Sequence, residues 1–250
     1  MPTSRPDGGS LFELLHRGFY PRIHDLGLDA QEWLAAYHQT YLERDVRALT
    51  QVGDLESFGR YVRLCAGRCG GLLNLASLAS DAGISHDTAR RWLSILEASF
   101  VVFLLRPHHR SFNKRLVKSP KLYFYDSGLL CFLLGIRAPD QLRTHPLRGA
   151  VFESHVIAEM VKNYRHRGRL PEVYFWRDHR GHEVDLVLDL GDELVAVEIK
   201  SGETVVSDSF RGLEQWRRIS DHQGPSALIY GGDETFRRRG AVVYSWRQWG

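Results

Sequence analysis

The sequence predicts a mixed α/β protein, and three observations carry that expectation. Apolar residues recur at helical spacing up to about residue 98, and alternating β-rich runs follow in "FVVFLLRP" and "KLYFYD". Residues 147–246 then interleave helix and strand signals around a tight hairpin. At 250 residues and 43% hydrophobic composition, the chain has enough material for more than one core.

Composition also narrows the class. The longest apolar runs, near Val101–Leu105 and Gly128–Ile136, fall well short of a membrane span, and the first ten residues lack an apolar signal core. A cytoplasmic protein with no membrane partner is expected. Cys65, Cys69 and Cys131 are expected as reduced core thiols, because Cys65 and Cys69 have no second Cys or His pair with zinc-ligand spacing. The net charge of +3 permits nucleic-acid binding without arguing for it.

Residues 1–50 read as a Pro/Gly/Ser-rich disordered start followed by a helical lead-in. In "DAQEWLAAYHQTYLERDVRAL" the residues Trp33, Ala36, Tyr37, Thr40 and Tyr41 share one face.

Residues 51–145 form the first predicted domain. "LESFGRYVRLCAGRCG" is a helix ended by Gly70 and Gly71. "NLASLASDAGIS" is a short helix capped by Asn74 and stopped at Gly83, and "SHDTARRWLSILEAS" starts at Ser85 as its N-cap. Ala89, Trp92, Leu93 and Leu96 make the buried stripe of this third helix, which turns His86, Asp87, Arg90 and Arg91 outward. The two β-rich runs bracket "RPHHRSFNKRLVKSPK" (106–121), a basic segment with no acid. Three helices followed by a hairpin with a basic tip is a winged-helix pattern. The candidate DNA contacts are then His86, Arg90 and Arg91 on the third helix, and Arg110, Lys114, Arg115 and Lys118 at the tip. The competing reading is a hairpin that packs on a neighbouring domain. A helix capped at Asp126, "SGLLCFLLGI", leads into a connection near Pro139–Pro146.

Residues 146–250 form the second predicted domain: a helix (147–166), a strand (172–177), a hairpin (183–200), a helix (208–221) and strands near 226–231 and 241–246. The run Arg237–Arg239 is expected at a solvated edge after a loop. In the hairpin, Gly191 suits the first central position of a type II′ turn. Leu190 then faces Glu193, Leu188 faces Val195, Leu186 faces Val197 and Val184 faces Ile199, so one face is apolar. The same register puts Asp185 opposite Glu198 and Glu183 opposite Lys200 on the other face. Opposed like charges are unfavourable. Either this face is wet, or one carboxylate is protonated, or a cation sits between them, with Lys200 supplying part of the charge.

Glu153 bears on the choice. On a helical wheel Ala150, Phe152, Val156, Ile157, Met160, Val161 and Tyr164 all fall within about 100° of it, so it lies mid-way across a buried stripe and calls for a cationic partner. Carboxylates at 153, 185 and 198 beside Lys200 would suit a hard, oxygen-liking cation, Mg²⁺ or Mn²⁺.

"HEVDLVLDLGDELVAVEIK", with Glu153 upstream, resembles the PD-(D/E)xK restriction-endonuclease-like motif, with Asp185, Glu198 and Lys200 as its D, E and K. More widely, "RGFYPRI", "YHQTYLERDVRAL", "NKRLVKSPKLYFYDSGLL", "RGAVFESHVIAEM" and "YFWRDHRGHEVDLVL" resemble the C-terminal region of a bacterial and archaeal family of AAA-type ATPases. The resemblance implies a winged-helix domain followed by a restriction-endonuclease-like mixed-sheet domain. It implies catalytic residues Asp185, Glu198, Lys200 and Glu153, and metal ligands Glu153, Asp185 and Glu198. The family's ATPase domain is not expected here: no Gly-Lys dipeptide occurs, so a phosphate loop of the G-x-x-x-x-G-K-[ST] type has no place. A separate P-loop ATPase subunit is an expected partner alongside DNA. The expected function is metal-dependent phosphodiester hydrolysis; the alternative is a non-catalytic DNA- or protein-docking module of an ATPase assembly.

Overall fold

The computed structural model describes residues 9–40, 55–108, 117–220 and 224–249. The fold is mixed α/β, with a six-stranded mixed sheet, a two-stranded sheet and helices. It divides into two compact units that interleave along the chain: Met1–Leu11, Leu105–Pro120 and Val156–Gly250 form one, and Phe12–Leu104 with Lys121–His155 form the other.

The mainly helical unit starts with α1 (Leu11–Arg17), α2 (Pro21–Asp25) and α3 (Ala30–Thr40). Next come α4 (Leu55–Gly67), α5 (Leu75–Ala82) and α6 (His86–Ala98), in the order the apolar spacing predicts. The expected caps are present. Asn74 accepts a hydrogen bond from Ser77 N at 3.0 Å, Ser85 accepts one from Thr88 N at 3.1 Å, and Gly83 closes α5 at φ 70°. Ala89, Trp92, Leu93 and Leu96 are buried, and His86, Arg90 and Arg91 are exposed. The strands β1 (Val102–Leu105) and β2 (Lys121–Phe124) form the two-stranded sheet, and the Gly70–Gly71 corner hydrogen-bonds to Leu122 through both its N–H and its carbonyl.

Helix α7 (Ser127–Leu133) is capped by Asp126, which accepts from Leu129 N at 2.8 Å and from Phe19 N at 2.7 Å. One carboxylate thereby ties α7 to the start of the chain. At the same point Gly18 and Gly128 meet backbone to backbone, so a Cβ on either would strike the other. The segment Pro139–Thr144, expected as a connection, forms a short helix α8 with Pro139 in its first turn. All three cysteines are buried and free, and burial pushes the thiols of Cys65 and Cys69 up to about 12.

The long helix α9 (Arg148–His166) contributes its first two turns to this unit and the remainder to the other. Ser154 fixes it to β2, donating to Phe124 O at 2.9 Å and accepting from Phe124 N at 3.0 Å.

The second unit is built on the six-stranded sheet, in the order β3-β4-β5-β6-β8-β7. Its strands are β3 (Val173–Arg177), β4 (Glu183–Asp189), β5 (Leu194–Lys200), β6 (Ser226–Tyr230), β7 (Phe236–Arg238) and β8 (Ala241–Ser245). Neighbours β3, β4 and β5 are antiparallel, β5, β6 and β8 are parallel, and β7 is antiparallel to β8. A parallel neighbour cannot be reached by a tight turn, so the chain crosses from β5 to β6 through a short 3-10 turn (Ser207–Phe210) and helix α10 (Arg211–Ile219). That crossover packs Phe210, Leu213 and Trp216 with Val187, Leu194, Ala196 and Leu228 in one apolar cluster. One sheet rim is covered and the other is short. The segment Arg106–His108 runs beside β3, with Phe175 N donating to Arg106 O at 3.1 Å and His108 N donating to Phe175 O at 2.7 Å. At the other rim the arginine run, expected at a solvated edge after a loop, starts as the three-residue edge strand β7, with Arg237 and Arg238 exposed.

Candidate functional site

The hairpin of β4 and β5 keeps the predicted register: Leu186 pairs with Val197, Val187 with Ala196, Leu188 with Val195 and Asp189 with Leu194. Gly191 opens the turn at φ 89°, and Leu190 N donates to Glu193 O at 2.9 Å. The register depends on the left-handed conformation at Gly191, which a side chain would strain.

The face that carries the charges is not wet. Val187, Leu194 and Ala196 on that face lie under α10, and Asp185 and Glu198 are only 9% and 4% exposed. At Asp185 the regular ladder gives way to a side-chain bond, with Oδ2 accepting Ile199 N at 2.8 Å. Lys200 Nζ lies 3.1 Å from Asp185 Oδ2 and 2.5 Å from Glu198 Oε2, so one ammonium spans both carboxyls. Glu183 takes its cation from Arg177, 3.0 Å away across the β3–β4 pair, and a carboxylate oxygen of Glu183 comes within 4.8 Å of one of Asp185. The sequence places Glu183 in this ladder opposite Lys200; the structure puts it beside Asp185 instead, at the i, i+2 spacing of one strand face.

The electrostatics follow from burial. Burial raises the Glu198 carboxyl far above the ordinary carboxylate range; the neighbouring Asp185 charge and a hydrogen bond to Asp185 add to this, and Lys200 offsets only part of it. Burial works against the charge on Lys200, but Asp185 and Glu198 outweigh it and raise that pKa. Helix α10 crosses so close to Glu198 that residue 212 must be glycine: a Cβ there would fall on Glu198 Oε1 and on the carbonyl oxygen of Glu183.

Glu153 belongs to the other unit. Its predicted cationic partner is Lys121, a buried side chain with Nζ 3.1 Å from Oε1, and Tyr123 OH donates a short hydrogen bond to the same oxygen. Of the expected DNA contacts, His86, Arg90 and Arg91 stand exposed on α6, where Arg90 is 4.0 Å from Asp87 and within 3.5 Å of His86 Nδ1. Lys118 is also exposed, and Arg110, Lys114 and Arg115 lie outside the described residues.

A family profile described as "Domain of unknown function (DUF8612)" matches residues 8–140, more than half of the chain. The chain belongs to this family. The hairpin lies beyond the DUF8612 match, in residues 148–249, which match a second profile, "Domain of unknown function (DUF4143)". The DUF8612 chain is 31% identical over 217 residues to the uncharacterized proteins Mb2031c of Mycobacterium bovis and Rv2008c of Mycobacterium tuberculosis, covering 86% of this chain and 47% of each relative. It thus spans about half the length of these curated relatives. No solved structure matches it. Among the described residues no helix is long and apolar enough to cross a membrane.

Proposed function

We propose that the β4–β5 hairpin is a PD-(D/E)xK-type site for metal-dependent hydrolysis of phosphodiester bonds. The observation that carries this reading is the excess of buried carboxyl over cation. Asp185 and Glu198 share the single ammonium of Lys200, and a divalent cation would supply the positive charge that this pair lacks. The donors are all carboxylate oxygens, the set that Mg²⁺ or Mn²⁺ prefers. Asp185 and Glu198 would hold the ion, with Glu153 as the further acid that the resemblance implies and Glu183 beside Asp185. When bound, the ion supplies Lewis-acid stabilisation of charge on the phosphate oxygens.

The chain's own groups do the remainder. Lys200 spends two of its three N–H donors on Asp185 and Glu198, and the third orients the attacking water towards phosphorus. The bond from Ile199 N holds Asp185 in a single orientation. The helices α4 to α6 and the β1–β2 pair serve as a winged helix on DNA. His86, Arg90 and Arg91 approach the bases, and Arg110, Lys114, Arg115 and Lys118 approach the phosphates. No ATP turnover is assigned to this chain; a P-loop ATPase would act as a separate partner.

Incubating the purified chain with DNA and RNA in Mn²⁺ tests the reading. Cleavage is expected in the wild type and lost in Asp185→Ala and Lys200→Ala; equal behaviour of all three ends it. A second reading is a non-catalytic DNA- or protein-docking module of an ATPase assembly. Metal-independent DNA retention without cleavage in either Mg²⁺ or Mn²⁺ would select it.

A further inference from the structure

A cleft of about 480 Å³ opens beside the hairpin, lined by Arg180, His182, Glu183, Arg211, Gly212 and Arg218 together with Glu214. It is large enough for a nucleotide unit and too large for a single ion. Its floor reaches the candidate site, since Glu183 and Gly212 line it and Gly212 lies against the Glu198 carboxyl.

The charges of this cleft do not cancel. Glu183 is taken by Arg177 at 3.0 Å, Glu214 by Arg239 at 2.7 Å, and Arg211 by Asp208 at 3.0 Å. Arg180 and Arg218 are left with no ion-pair partner among the described residues. Both line the cleft, Arg180 from the turn between β3 and β4 and Arg218 from the last turn of α10. The turn is internally braced: Asp178 accepts from Arg180 N at 2.8 Å and from His182 N at 3.0 Å, and its other oxygen lies 2.8 Å from His182 Nδ1. Burial works against the Asp178 charge, but these hydrogen bonds hold its carboxyl below the ordinary range. Arg180 and His182 are therefore presented on a rigid support. Two uncompensated guanidiniums in a concave site attract an anion and match the fork geometry of phosphate oxygens.

We infer that this cleft seats the phosphates of a nucleic-acid strand, with Arg180 and Arg218 as positioning residues that lead the strand to the hairpin. The inference rests on the hairpin being a phosphodiester-cleaving site, and its test keeps the two separable.

The test uses the full chain carrying Arg90→Ala and Arg91→Ala, which weakens the other expected DNA surface. Anisotropy of a fluorescein-labelled 20-nucleotide single strand and its duplex is titrated in EDTA, and Mn²⁺ binding is read separately by calorimetry. Adding Arg180→Ala and Arg218→Ala should weaken strand binding by about tenfold or more and flatten the dependence of log affinity on log salt by about 1.4 on the single strand and about 1.8 on the duplex. Mn²⁺ binding should be unchanged. Arg237→Ala, an exposed arginine on the edge strand, should change neither. Unchanged affinity and salt slope in the Arg180/Arg218 variant overturns the inference, as does no strand binding at all, or displacement of the strand by equimolar inorganic phosphate. Arg-dependent strand binding with no Mn²⁺ binding would instead sink the hairpin reading and leave the cleft standing.

Discussion

Lys200 reaches back along its own strand to Glu198, with Nζ 2.5 Å from Oε2, and the same ammonium meets Asp185 across the hairpin at 3.1 Å. One cation thus stands between two buried acids, and the properties of the site follow from which of the three is removed.

Removing the acid that the Ile199 amide orients should remove metal affinity. Calorimetry with Mn²⁺ is expected to give one binding event in the wild type and none in Asp185→Asn. Saturating Mn²⁺ at about 100 times Kd should stabilise the wild type by about 2.7 kcal/mol and leave the variant unmoved. Equal stabilisation of both would place the ion elsewhere.

Removing the acid whose pKa burial raises should change the pH dependence. The ordinary value for Glu198 is 4.5 and the folded value lies above it. As pH rises past 4.5 the unfolded chain ionises at this residue while the folded chain retains its proton, so metal-free stability falls with rising pH. The raised pKa of Lys200 contributes stability throughout this window and is lost only in strong alkali. Glu198→Gln should match the wild type near pH 5 and be increasingly the more stable of the two towards pH 8, by up to about 1.4 kcal/mol per pH unit. Metal affinity of the wild type should rise over the same interval. Denaturant melts at four pH values check this, and parallel curves for the two proteins would refute it.

Removing the cation should strand the acids. Lys200→Met is expected to cost about 1–2 kcal/mol at pH 8 without metal, a figure discounted for the partial exposure of the lysine. Lowering the pH or adding Mg²⁺ should recover most of that loss. A loss insensitive to both would mean that the lysine acts through packing of its aliphatic stem.

Gly212→Ala sets local propensity against packing. Alanine favours a helix by about 1 kcal/mol over glycine, yet a Cβ at this position falls on the Glu198 carboxyl. We expect net destabilisation of about 1–3 kcal/mol, partly relieved in the double variant with Glu198→Ala. Thermal melts of the four proteins in this cycle decide it.

The hairpin was legible in the sequence because its register is local: a glycine turn and alternating side chains place Asp185 opposite Glu198 without reference to the rest of the chain. The buried setting of these two acids was not legible. It depends on the β5-to-β6 crossover laying α10 over that face, and nothing in "LVAVEIK" announces that a helix residue will press on residue 198. Glu153 shows the converse, since the wheel predicts a buried acid in need of a cation, but only the tertiary fold names Lys121. The helix at Pro139–Thr144 has no sequence signature because six residues are too few to establish a period, and β7 has none because three arginine-rich residues next to a turn resemble a loop. The cleft arginines carry no sequence pattern, since Arg180 and Arg218 become neighbours of one cavity only when turn and crossover are in place.

The two rims of the six-stranded sheet restrict how this protein can be approached. One outer strand is already shadowed by the backbone of Arg106–His108, and the other is three residues long and bristles with guanidinium groups. Neither offers a run of open peptide groups on which a foreign strand could zip. Partners, including a second copy of the chain, must recognise this unit through side chains and grooves, and fibril-like stacking is discouraged at both margins.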